Sequence, residues 1–205
     1  MPENTTVTLP LGDFTRAEGR MAGTGNALLR YQNAASSARG QAFEGYILAA
    51  CEMYRQCGRA AIDKTPEPFR VARKEGGGIF TGRFTAPAQP DFQGTLAGGL
   101  SIVFEAKYTS TERLKRGALT EAQMAALALH AGLGAIAGVC AGIGDRFFFV
   151  PWSFWRDMKE RHGRLYATAA DLEPYRVRFT GAVLFLDYAN KAREGRGSRI
   201  TGRSD

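Results

Sequence analysis

Between Gln41 and Cys57 the apolar residues recur at helical spacing: Phe43, Ile47, Cys51 and Tyr54 follow at steps of four, four and three. The stripe predicts an amphipathic helix, closed by Gly58 just past its end. Ala60 to Asp63 reads as a short strand. Leu100 to Lys107 alternates, with Ile102, Phe104 and Ala106 on one face and Val103, Glu105 and Lys107 on the other, which is the period of a strand. Thr120-x-x-Gln123 has the form of a capping box and opens a helix that runs to about His130. Ala135 to Ile143 is a continuous apolar run, read as a buried strand. After a turn at Gly144-Asp145, Arg146 to Val150 is its antiparallel partner. Pro151 to Arg161 predicts a short helix packing through Phe154, Trp155 and Met158, and Phe179 to Ala192 one further strand or helix. Strands interleaved with helices in this order predict an α/β fold, a mixed central sheet of four or five strands flanked by helices.

Three stretches lack such a pattern. Residues 1–38 read as a flexible arm with a short helix around Leu28 to Asn33, made basic by Arg16, Arg20, Arg30 and the neighbouring Arg39. Residues 64–89 carry Pro66, Pro68 and Pro87 and the triplet Gly76-Gly77-Gly78, flanked by the alternating segments Phe69-Arg-Val-Ala-Arg and Ile79 to Phe84. They predict a hairpin-like protrusion from a single domain over 39–192. A protrusion buries little, so its charges, Lys64, Arg70, Arg73, Lys74 and Arg83, are expected to face a partner's phosphates. Residues 193–205 read as a mobile basic tail.

Composition narrows the partner. The chain has 205 residues, 44% apolar and 23% charged, an ordinary globular balance. Lys and Arg number 27 against 20 Asp and Glu, a net charge of +7, and the isoelectric point is about 9.6. A compact basic chain suits a polyanion, nucleic acid or an anionic membrane surface. Met124 to Gly144 is uncharged and carries Gly134, Gly138 and Gly142 at helix-packing spacing. It is nonetheless rich in Ala and Gly, is interrupted by His130, and is broken by Gly132 and Gly134 into helix and strand, so no membrane span is expected. Three cysteines without a CxxC, and two distant histidines, His130 and His162, argue against zinc. Thiols expected to be reduced core residues, and an N-terminus, Met1 to Leu11, without a secretory pattern, make a cytoplasmic chain the expectation.

The chemistry concentrates in two segments. Pro90-Asp91-Phe92-Gln93-Gly94 is followed, with thirteen residues between Asp91 and Glu105, by Glu105-Ala106-Lys107. Glu105 and Lys107 share a strand face, and Asp91 reaches it if it begins an adjacent strand joined by a turn at Ala97 to Gly99. Two hard oxygen ligands on neighbouring strands suit Mg2+ or Mn2+. Such a cation polarises a phosphodiester and stabilises charge on the leaving oxygen. Lys107 beside it is placed to orient or deprotonate the attacking water. The plainer alternative is an ion pair between Glu105 and Lys107, with Asp91 a turn residue.

Asp91, Glu105 and Lys107 resemble the PD-(D/E)XK nuclease motif. The wider order resembles the RecU-type Holliday junction resolvases. It runs Arg39-Gly40, Phe43-Glu44, Lys64-Thr65-Pro66, Asp91-Phe92-Gln93-Gly94, Phe104-Glu105-Ala106-Lys107 and Gln123. The resemblance implies a PD-(D/E)XK core with a protruding basic stalk over 64–89. It implies a homodimer whose two sites nick opposing strands of a four-way DNA junction symmetrically. It further implies metal ligation by Asp91 and Glu105 and catalytic roles for Lys107, Glu44 and Gln123. DNA contacts are expected from Arg39, Lys64, Arg70, Arg73, Lys74 and Arg83. Tyr108-Thr109 after the lysine and Asp63 before Lys64 depart from the family pattern, as in a divergent bacterial or phage-encoded member. The alternatives are another PD-(D/E)XK DNA nuclease, restriction-type or exonucleolytic, and a non-catalytic DNA-binding protein.

Overall fold

The computed structural model describes residues 22–66, 69–74, 80–84 and 89–188, with side chains over 36–66 and 89–188. The chain divides into two units, Met1–Ala35 and Ser36–Asp205. Of the first, the described part, from Ala22 on, is helical backbone.

Helix α1 spans Ala22–Gln56. The periodic stripe marks only its second half; the first half takes in the short helix expected around Leu28 to Asn33 and extends it back to Ala22 and on to Gln41. Ala-rich sequence favours helix by propensity alone, and the spacing that announces a helix arises only where a face is buried. Phe43, Ile47, Ala50, Cys51 and Tyr54 are that buried face.

The second unit is built on a five-stranded sheet in the order β1-β4-β5-β7-β8. Its strands are β1 (Ala60–Lys64), β4 (Phe92–Leu96), β5 (Ser101–Thr109), β7 (Ile136–Ile143) and β8 (Arg146–Pro151). Only β5 and β7 are parallel; β1–β4, β4–β5 and β7–β8 are antiparallel. The parallel step needs a crossover, which helix α2 (Glu121–Gly132) supplies. The β4–β5 hairpin turns through Gly98 and Gly99 at φ 88° and 86°, a left-handed backbone that glycine adopts at little cost. Gly94 is required for another reason: a Cβ there would lie 2.0 Å from the Ala61 carbonyl oxygen of β1.

Each face of the sheet carries its own core. On one, Ile102, Phe104, Cys140 and Phe149 meet α1 and the segment Val183 to Leu186. On the other, Val103, Val139, Ala141 and Val150 meet α2 and Trp155. All of β7 is buried, and its glycines answer to packing: a Cβ on Gly138 would meet the Val150 carbonyl oxygen at 2.5 Å, and one on Gly142 the Tyr108 ring at 2.6 Å. No described helix is long and apolar enough to cross a membrane.

The expected protrusion contains an antiparallel pair, β2 (Phe69–Lys74) and β3 (Phe80–Phe84). Its glycine triplet, the arm before Ala22 and the tail from 193 lie outside the described residues, as do the side chains of Arg70, Arg73, Lys74 and Arg83. The helix expected over Pro151 to Arg161 is two, α3 (Trp152–Arg156) and α4 (Met158–His162). They part at Asp157, whose carboxylate binds Arg156 at 2.5 Å and whose backbone leaves the helical region at ψ 12°. A small antiparallel pair, β6 (Arg113–Lys115) with β9 (Tyr166–Thr168), had no sequence signal, because three residues are too few to show a period; helix α5 (Ala169–Leu172) is as short, and its one signal is the capping box Thr168-x-x-Asp171, which was missed. Cys51 and Cys140 are buried, whereas Cys57 is exposed at the end of α1 and is not a core thiol.

Candidate active site

Register brings the acid pair together. Phe92 pairs with Phe104 across the antiparallel β4–β5 ladder, so Asp91, one residue earlier, lies opposite Glu105, one residue later. Both project to the α2 face, opposite to the stacked Phe92 and Phe104 rings, whose centroids are 5.0 Å apart. The backbone of Asp91 is held by Thr65 N–H, which donates to its carbonyl at 2.8 Å. Its side-chain Oδ2 accepts from Ala106 N–H at 3.0 Å.

Glu105 is 0% exposed, the one buried charged side chain among the described residues. Its Oε2 accepts from Gln123 Nε2 at 2.5 Å and from Lys107 Nζ at 3.1 Å. Its Oε1 is buried without a partner. Lys107 Nζ also stands 3.5 Å from Asp91 Oδ2, with 19% of its side chain exposed. Burial first, and then the adjoining Asp91 carboxylate, raise the Glu105 carboxyl well above the usual carboxylate range, while Lys107 pulls it back.

That arrangement fits a divalent cation. Two hard oxygen donors face each other with one ammonium between them, and one buried carboxylate oxygen has nothing to bond. A buried, unpartnered acceptor is costly, and an oxygen-loving cation would satisfy it. Asp91 and Glu105 are the residues that would hold it.

Gln123 enters from α2 through its capping box. Gln123 N–H donates to Thr120 Oγ1 at 3.2 Å, and the Gln123 Oε1 accepts from Thr120 N–H at 3.0 Å. With its oxygen committed to the cap, its amide nitrogen is left for Glu105. Of the remaining expected residues, Glu44 does not join the acid pair. It is ion-paired to Lys64 at the end of β1, and no group of three or more His, Cys, Asp or Glu side chains converges among the described residues. Asp63 bonds Arg55 at 2.5 Å, and Arg39 is exposed on α1. The Ala106 N–H was missed by sequence reasoning, since any residue carries one. Thr65 was noticed only as part of Lys-Thr-Pro.

An acid pair and a lysine thus stand on two adjacent strands of a mixed sheet, with a polar side chain from the crossover helix bonded to one of the acids. The chain belongs to the RecU family: the profile described as recombination protein U matches residues 38–192. Among curated proteins none matches the chain. It is similar to a solved structure of Hjc, a Holliday junction resolvase from the archaeal hyperthermophile Archaeoglobus fulgidus. The identity is 18%, over 65% of this chain and 91% of that one, and the TM-score is 0.41.

Proposed function

We propose that the protein is a divalent-metal-dependent endonuclease, with Mg2+ or Mn2+ as cofactor, that resolves four-way DNA junctions by paired symmetric nicks as a homodimer. It would act in the cytoplasm of a bacterium, encoded by the host or a phage. The observation that carries the reading is the buried Glu105 with an unsatisfied oxygen opposite Asp91, in a chain of the RecU family.

A divalent cation at this site supplies polarisation of the scissile phosphodiester and neutralisation of charge at the leaving oxygen. The chain's own groups do the rest. Ala106 N–H fixes one oxygen of Asp91, leaving the other for ligation. Gln123 and Lys107 both donate to Oε2 of Glu105 and so aim Oε1 into the site. Lys107, the partly exposed member, orients the attacking water and offsets charge on the phosphoryl oxygens. Glu44 and Lys64 stand as a pair at the end of β1, where Lys64 would meet phosphate once released. The stalk over 64–89 would carry Arg70, Arg73, Lys74 and Arg83 to the junction, with Arg39 approaching from α1.

The test is a labelled four-way junction incubated with and without Mg2+, with the nicks mapped and the assembly sized by light scattering. Symmetric Mg2+-dependent nicks from a dimer are expected. Asp91→Asn should reduce cleavage by at least the roughly 10–100-fold that loss of an outer partner costs a metal site, with junction binding retained. Equal cutting of linear duplex would indicate a restriction-type or exonucleolytic enzyme. No cleavage under any metal, with binding intact, would leave a DNA-binding protein.

A further inference from the structure

On the other face of the sheet from the acid pair, a line of aromatic rings runs from the core to the surface. Phe43 stacks on Phe147 at 5.6 Å and 8°. Phe147 meets Phe179 at 4.9 Å, and Phe179 meets Tyr46 at 4.9 Å. The inner members are buried, but Phe179 is 45% and Tyr46 37% exposed. The segment that carries Phe179 is tied down on both sides: Val177 N–H donates to the Phe147 carbonyl at 3.0 Å and Val183 N–H to the Tyr46 carbonyl at 3.1 Å.

These rings separate two cavities that share Asp145, Phe147 and Phe179 as lining. One, of about 310 Å3, opens beside Arg39, Tyr46 and Tyr108. The other, of about 790 Å3, opens beside Arg146, Arg176 and Arg178. Arg176 is bonded to Glu173 and Arg178 to Asp187. Arg39 and Arg146 are exposed, and among the described residues neither takes part in an ion pair. The linings together carry four arginines against Asp145 and Asp187.

We propose that this cleft is a second nucleic-acid subsite that holds an unpaired nucleotide, its base against Tyr46 and Phe179 and its phosphates against Arg39 and Arg146. The proposal rests on the nuclease reading for the choice of DNA as the polyanion. The excess of positive charge selects a polyanion over an apolar peptide. The partly exposed rings of Tyr46 and Phe179 select an unstacked base, because a duplex keeps its base faces within its own stack. The smaller cavity lies at the lower end of the range for small-molecule pockets, roughly 300–1,000 Å3, which suits one base rather than a helix.

The experiment is fluorescence anisotropy of a labelled oligothymidylate with the full chain in EDTA, where no cleavage intervenes, with a blunt duplex as competitor. Wild type should bind the oligonucleotide, and duplex should displace it poorly. Tyr46→Ala and Phe179→Leu should each weaken binding roughly fivefold to a hundredfold, whereas Tyr46→Phe, which keeps the ring, should bind as wild type. Arg39→Ala with Arg146→Ala, exposed positions that do not threaten folding, should weaken binding and flatten its salt dependence. Unchanged affinity in the ring and arginine variants overturns the proposal. So does sedimentation showing that these rings mediate self-association and that Tyr46→Ala abolishes it without affecting oligonucleotide binding. The two readings fail separately. Asp91→Asn should bind the oligonucleotide normally, and a wild type that never cuts a junction but binds through these rings would refute the nuclease reading alone.

Discussion

Gln123 joins the first turn of α2 to Glu105 on β5: its amide oxygen completes the helix cap with Thr120, and its amide nitrogen donates to the buried carboxylate at 2.5 Å. The two roles separate by mutation. Thr120→Ala should cost about 1 kcal/mol of stability by loss of the cap and leave cleavage near wild type. Gln123→Ala should show a similar loss of stability and, in addition, a roughly 10–100-fold fall in cleavage. Thermal melts and single-turnover kinetics on the two variants decide it, and equal cleavage in both would remove Gln123 from the site.

Lys107 is the only cation within 4 Å of the acid pair among the described residues, at 3.1 Å from Glu105 and 3.5 Å from Asp91. Lys107→Met keeps the apolar stem and removes the charge. The metal-free protein should lose roughly 1–3 kcal/mol, less than for a fully buried pair because Glu105 can take up a proton instead. Mg2+ should then raise the melting temperature more in the variant than in wild type, while cleavage stays lost at saturating metal. Differential scanning calorimetry with and without Mg2+ measures both.

The stalk is argued from its sequence and the β2–β3 pairing. Replacing Arg70 and Arg73 together by Ala should weaken junction binding and reduce the slope of log affinity against log salt by roughly one for each phosphate no longer neutralised. Titrations at several salt concentrations test this, and an unchanged slope would show that these arginines do not meet the backbone.

Alkaline pH should unfold the protein early. Burial pushes the Cys51 thiol from 9.0 up to about 12, and burial likewise raises the Tyr54 hydroxyl above its ordinary value of 10.0. Both must stay protonated in the native state, so the unfolded chain releases these protons first and stability falls as pH rises from about 9 towards 12. Below 9 neither group contributes a pH dependence. Cys51→Ala should flatten part of the decline between pH 9 and 11 in a series of thermal melts, leaving the shares of Tyr54 and of the buried Cys140 thiol, which burial also raises.

Much of this was legible in the linear order of residues. The α1 stripe, the alternation of β5, the Thr120-Gln123 cap and the apolar run of β7 each carry a period or a local signal that burial imposes on composition. The sequence also pointed to Asp91, Glu105 and Lys107, through the motif and the glycines of the turn between them. The full extent of the first half of α1, the β6–β9 pair and the break at Asp157 left no such trace, because they rest on propensity, brevity or a local side-chain bond.

Residue types and spacing by themselves determined an α/β chain with an acid pair and a lysine on neighbouring strands, since the strand period and a tight glycine turn leave little freedom over a short stretch. Which of the distant groups expected beside that pair meet it was settled by packing. It brought Gln123 to Glu105, turned Glu44 away to Lys64, and left one oxygen of Glu105 buried and unbonded. Those outcomes depend on how a crossover helix and a sheet edge pack in three dimensions, and no local pattern of residues encodes a distance between elements that are far apart in the chain.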